Sequence, residues 1–225
     1  DEFVANLSKI YQRLKYSKKL KSAMKSVEQD LLGLLDVKLF TVYQSVDNGK
    51  ELLASFKGGD PGDDDSIEIR VPFSATSLAG YVALSQRALV IKNVLNNEEL
   101  VDIHPRLQFD KSFSEAKGWN VKSMIIVPIK DEILLGVLQL IYFAGYRALT
   151  KTDPNLAMMV SQLLVNQSRP SLKSLHATID SFFMTSSMSA VDRRVLPIPA
   201  ELFESSVIAL LYCCSRILRH YCSMH

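Results

Sequence analysis

Two apolar runs, Ser123–Ile129 and Ile133–Phe143, dominate the hydrophobic pattern of the chain and are separated by the charged step Lys130-Asp131-Glu132. Both are rich in β-branched residues, and neither alternates cleanly with polar positions, so they predict a hairpin covered on both faces. That places the pair at the centre of a sheet. Gly136, inside the second run, marks a bulge or a close backbone approach.

Upstream, Phe3, Leu7, Ile10, Tyr11 and Leu14 recur at helical spacing, predicting a helix over 2–16. Leu20, Met24, Val27, Leu31 and Leu34 repeat in a 4-3-4-3 pattern over about 18–35. This second helix packs on a sheet or also builds a dimer seam, and two or three heptads do not decide between them. Strand patterns follow at Val37–Val46 and Leu52–Phe56, joined by Asp47-Asn48-Gly49, a strong hairpin signal. Ile67–Val71 alternates cleanly and reads as an edge strand. Thr76 or Ser77 caps a short helix to about Ser85, with Gly80 where a neighbouring backbone approaches, and Ala88–Ile91 reads as another strand. Residues 93–118 form a long charged segment with a helical turn or two near 98–103; segments of this length usually carry function. Asp153 caps and Pro154 opens a further helix with Leu156, Met159, Val160, Leu163 and Leu164 on one face. Hairpin-joined strands with helices gathered at both ends predict an α+β fold with an antiparallel sheet.

Composition narrows the function. A length of 225 residues with 48% hydrophobic and 22% charged residues suits a globular domain plus an appendage. A net charge of +2 gives no electrostatic case for nucleic acid. The C-terminal apolar run Val207–Cys214 is far shorter than the roughly 20 residues of a spanning helix. The chain starts at Asp1 rather than methionine, reads as an excerpt, and shows no signal-peptide pattern there. All three cysteines, Cys213, Cys214 and Cys222, lie near the end, so a reducing, cytoplasmic setting is expected. The acidic stretch Gly58–Asp65 lacks the spacing of a calcium loop, and a solvated turn is expected there rather than a metal site. No Ser-His-Asp set, P-loop, GxGxxG or HExxH occurs, so no catalytic residue is expected.

Four stretches together resemble a GAF domain: Arg70-Val-Pro-Phe with Ser77-Leu-Ala-Gly-Tyr-Val-Ala; Ala88-Leu-Val-Ile-Lys-Asn-Val; Gly118-Trp-Asn-Val-Lys-Ser-Met-Ile-Ile-Val-Pro-Ile; and Leu135-Gly-Val-Leu-Gln-Leu. With Phe109–Phe113 ahead of Gly118-Trp119, the resemblance is to GAF modules of bacterial signalling and secretion-ATPase proteins. It implies a six-stranded antiparallel sheet with terminal helices on one face and a lidded pocket on the other. It further implies a non-catalytic sensory module over 1–167 that binds a small molecule, a nucleotide among the candidates, and signals as a homodimer through its end helices. The alternatives are an interaction or dimerisation module tied to an effector such as a secretion-type ATPase, and a cyclic-nucleotide-binding GAF domain. Cyclic-nucleotide-binding relatives carry an Asn-Lys…Phe-x-x-x-Asp-Glu signature. Here Tyr142 and Phe143 stand at the Asn-Lys pair, Leu149 at the Phe, Asp153 matches, and Pro154 stands at the Glu. Without the lysine no Lys–Asp pair can brace the pocket. No cofactor is expected: bilin attachment and methionine-sulfoxide reduction use cysteines that this body lacks, and His104 reads as a loop-packing residue rather than a haem ligand.

The polar groups expected at a ligand are Arg70, Asp110, Lys122, Ser123 and Gln139. Gln139 interrupts an apolar strand, and its amide must find a pocket or a structural partner. Phe56, Phe73, Val94, Phe109, Phe113 and Met124 are the expected apolar lining, or else core. Residues 168–225 read as a linker and a helical tail, about 200–221, with no family match.

Overall fold

The structure, a computed structural model, describes residues 2–16, 20–59 and 68–168. They belong to two compact units, one formed by Ser17–Val165 and the other containing Asp1–Tyr16 and the chain from Asn166. The expected linker and tail helix, and the acidic loop from Asp60 to Asp65, lie outside the described residues. Helix α1, Glu2–Tyr16, buries Leu7, Ile10 and Leu14 along the predicted stripe.

The larger unit runs α2 (Leu20–Leu35), β1 (Leu39–Val46), β2 (Glu51–Gly58), β3 (Arg70–Pro72), α3 (Leu78–Ser85), β4 (Leu89–Ile91), α4 (Asn97–Ile103), α5 (Ser112–Ala116), β5 (Val121–Lys130), β6 (Leu134–Phe143) and α6 (Asp153–Ser168). The strands form one six-stranded sheet in the order β3-β2-β1-β6-β5-β4. Every pairing is antiparallel. The two apolar runs pair as β5 and β6 from Val121–Phe143 to Lys130–Leu134, and β6 also pairs with β1, so the hairpin sits inside the sheet as its pattern requires. The first hairpin turns through Asp47, Asn48 and Gly49, all at positive φ, the conformation for which Asn-Gly is suited.

Period-two alternation splits the strands between two cores. Leu39 and Tyr43 of β1, Val137 and Ile141 of β6, and Met124 and Ile126 of β5 join Val82 and Ala83 of α3 in one cluster, together with Val94 and Leu100. The alternate residues Phe40, Val42, Ile125, Val127, Leu138 and Leu140 are equally buried but outside that cluster. The helices with apolar faces to cover them are α2, which lies against β2, and α6, with buried Ala157, Val160, Leu163 and Leu164. The Phe40 and Phe56 rings meet on this side at 5.8 Å.

Candidate functional site

The α3 face is roofed by the segment between β4 and β5. Its chain is pinned by local hydrogen bonds, which explains why a loop-like sequence packs in one conformation. Asn96 caps α4 through Glu98 N–H, and the Glu99 carboxylate accepts from the amides of Lys92 (2.7 Å) and Asn93 (3.0 Å). The Val94 amide donates to the Lys122 carbonyl at 2.9 Å, and the Gln108 amide to the Thr76 carbonyl at 3.1 Å. In the first turn of α3, Gly80 packs so closely that a Cβ would lie 2.4 Å from the Pro72 carbonyl oxygen. Helix α5 has no strong periodicity and was not expected from the sequence. His104 stacks on Tyr81 at 5.8 Å and its Nδ1 accepts from the Arg106 amide, a loop-packing role.

Between roof and sheet lies a cavity of about 250 Å³. Its floor is Leu39, Thr41 and Tyr43 of β1, Gln139 and Ile141 of β6, and Val121 and Met124 of β5. Its walls include Ser77–Ala79 at the start of α3, and Gln108, Phe109, Asp110, Phe113 and Trp119 from the roof, with Lys57 opposite. Trp119 meets Phe113 edge-on at 5.5 Å and Phe143 at 6.0 Å, and the Lys57 ammonium lies 5.6 Å from the Phe113 ring. Hydrogen bonds from the Ser112 hydroxyl and amide hold the Asp110 carboxyl below its ordinary value.

Of the residues expected at a ligand, Phe109, Asp110, Phe113, Met124 and Gln139 converge on this cavity. The others do not line it. Phe56 faces the helix-covered side against Phe40, and its neighbour Lys57 takes the cavity side. Arg70 is exposed on the edge strand, paired with Asp47 (3.1 Å), Glu51 (3.2 Å) and Glu68. Phe73 and Val94 pack in the α3 core, Lys122 is exposed, and Ser123 is buried away from the cavity because a register shift separates it from Val121. Thr41, Tyr43, Lys57, Ser77, Gln108 and Trp119 were missed. Thr41 and Tyr43 were within reach, since alternation from Leu39 puts all three on one face.

Burial pushes the Tyr43 phenol up to about 12. Unfolded, the same phenol ionises near 10. Below pH 10 it is protonated in both states and contributes nothing to their difference. From pH 10 to 12 the unfolded chain alone releases the proton, so stability falls as pH rises. Two pH units at roughly 1.4 kcal/mol each make the loss about 3 kcal/mol. Urea melts at pH 8, 10 and 11 should show the decline, and Tyr43→Phe should make it shallower.

On the opposite side, Asp153 does not act as the simple helix cap read from the sequence. Its carboxylate accepts from Arg147 Nη1 at 2.8 Å, Arg147 Nη2 at 3.2 Å and the Thr150 amide at 2.7 Å. Arg147 also donates to the carbonyls of Leu35 (3.1 Å), Asp36 (2.9 Å) and Ala148 (3.1 Å), and lies 4.8 Å over the Tyr142 ring. The Lys–Asp pair is missing, as the sequence implied, and Asp153 is paired instead with Arg147, six residues upstream.

Among the described residues, no three His, Cys, Asp or Glu side chains converge on a metal position, and no helix is long and apolar enough to cross a membrane. A single antiparallel sheet with helices behind and a roofed cavity in front defines a class of α+β domain. The family model for the GAF domain matches residues 20–167, and the chain belongs to that family. Solved structures agree in fold at low identity. The GAF domain of a phosphoenolpyruvate-protein phosphotransferase from Coxiella burnetii is 16% identical with a TM-score of 0.57, covering 80% of this chain and 96% of its own. The corresponding Acinetobacter domain is 14% identical at 0.54, covering 80% and 98%. The free methionine-R-sulfoxide reductase of Neisseria meningitidis, solved with its substrate, is 17% identical at 0.54, covering 77% and 94%. No curated protein matches significantly.

Proposed function

We propose that this chain is a non-catalytic sensory module that binds a small ligand in the roofed cavity and signals through its end helices as a dimer. The observation that carries the reading is the cavity itself, largely apolar with a few polar groups on its floor, the usual composition of a ligand pocket. The route outward is short. On β1 and β6, Thr41 and Gln139 face the cavity, while their chain neighbours Phe40, Val42, Leu138 and Leu140 lie buried beyond the sheet. A ligand that favours one setting of these strands therefore favours one packing of the helices behind them.

Thermal-shift screening and isothermal titration against a metabolite panel test the reading. A true ligand at a hundred times its Kd stabilises the fold by about 2.7 kcal/mol, and light scattering should report a dimer. The rival reading, an interaction module without a ligand, draws on exposed Leu84 (56%), Leu95 (53%) and Val101 (50%). It predicts a concentration-dependent mass and no thermal shift from any metabolite.

A further inference from the structure

The cavity floor holds a polar pair that the protein leaves unsatisfied. Thr41 and Gln139 are direct cross-strand partners on β1 and β6, which sets their Cβ atoms about 5 Å apart. Thr41 is only 6% exposed. Neither its hydroxyl nor the Gln139 amide has a hydrogen-bond partner among the described residues, and neither is sealed off as the Tyr142 hydroxyl is. Around them the floor is Leu39, Ile141, Met124 and Val121. An apolar pair here would complete the core without leaving polar groups unpaired, so the hydroxyl and amide serve something other than packing.

The floor is also uncharged. Tyr43, two residues along β1, joins the pair as a neutral group, a phenol being protonated at neutral pH. The charged lining residues are Lys57 and Asp110; Lys57 is only half-buried, and Asp110 is exposed with its carboxylate already engaged by Ser112. A carboxylate or phosphate on this floor would exchange its hydration for the uncharged Thr41, Gln139 and Tyr43, with Lys57 on the wall rather than in the floor. A side-chain amide matches best a group that offers a donor and an acceptor side by side.

Building on the sensory reading of this cavity, we propose that its ligand is a neutral molecule with an amide or lactam edge. That edge pairs with the Gln139 amide, the Thr41 hydroxyl bonds the ligand carbonyl, and the apolar remainder lies against Met124, Phe109 and Trp119.

The test uses the full chain, 15N-labelled, with four ring probes of similar size: 2-piperidone, cyclohexanone, cyclohexanecarboxylate and toluene. The expected result is that 2-piperidone binds at least tenfold tighter than cyclohexanone or cyclohexanecarboxylate and shifts the Gln139 side-chain NH2 and Trp119 indole resonances. Gln139→Leu and Thr41→Val should each weaken 2-piperidone tenfold or more while toluene binds as well or better, which shows that the variant cavities are intact. Tighter binding of cyclohexanecarboxylate overturns the proposal, as does a Gln139→Leu chain that holds 2-piperidone within twofold of the parent. Binding of toluene alone overturns the ligand class and leaves the sensory reading standing. Failure of all four probes also overturns the ligand class, while the sensory reading stands or falls on the metabolite panel.

Discussion

Gly136→Ala is expected to destabilise the domain by about 3 kcal/mol or more, at the upper end of what overpacking costs. A Cβ at this position would lie 2.0 Å from the Tyr43 carbonyl oxygen, 3.1 Å from the carbonyl carbon and 3.3 Å from Gln44 Cα. All three are main-chain atoms, so no side chain can swing aside to make room. Gly136 pairs with Gln44 on β1 and with Ile129 on β5, next to a register shift at Ile129/Lys130. Accommodating one methyl group therefore means separating the two central strands and disturbing the ladder on either side. For a domain of this size each kcal/mol moves the melting temperature by roughly 2–4 °C, so the fall should be about 6–12 °C or more by circular dichroism. Because Tyr43 lies on the cavity floor, the same substitution should weaken any cavity ligand. A Gly136→Ala chain melting within 2 °C of the parent would show that β1 and β6 are not packed this closely. Gly33, in α2 with open space around it, is the control: alanine there should stabilise by several tenths of a kcal/mol through helix propensity.

Gly136 was legible in the sequence as a place of close approach, and so were the hairpins, because β-branched runs and Asn-Gly act locally. Which side of the sheet each residue faces was not equally legible. Phe56 was expected at the ligand and Lys57 was not, yet β2 reaches the cavity through Lys57. Register shifts at Val42/Tyr43 and Val121/Ser123 interrupt the pairing of β1 with β2 and of β5 with β6. Each adds a residue to one strand and reverses which of the following side chains face the cavity. Nothing in residue type announces a bulge, and so Ser123 fell on the wrong side of the expectation while Met124 fell on the right one. Arg70 was misplaced for another reason: two of its acidic partners, Asp47 and Glu51, come within reach only when β3 pairs with β2. Arg147 carried little signal because, besides Asp153, it is held by the Leu35 and Asp36 carbonyls more than a hundred residues upstream.

Arg147→Met should cost the domain 3–5 kcal/mol, the range found when one partner of a buried ion pair is removed. The guanidinium is 18% exposed and Asp153 only 8%. Every one of its five N–H groups is committed: Nε to Asp36, Nη1 to Ala148 and Asp153, Nη2 to Leu35 and Asp153. Truncation leaves a buried carboxylate and two carbonyls at the end of α2 without their donor, at the point where α2 and α6 are fastened together. Lysine keeps the charge but not the planar fork, so Arg147→Lys should recover less than half of the loss. Asp153→Asn should be nearly as costly as Arg147→Met, and the double variant should cost much less than the two added together, because removing both charges leaves neither one buried alone. A double-mutant cycle by urea unfolding measures that coupling, expected at 2 kcal/mol or more by the same reasoning. Additive losses would mean the two residues act through separate contacts and that the helix ends are held by something else.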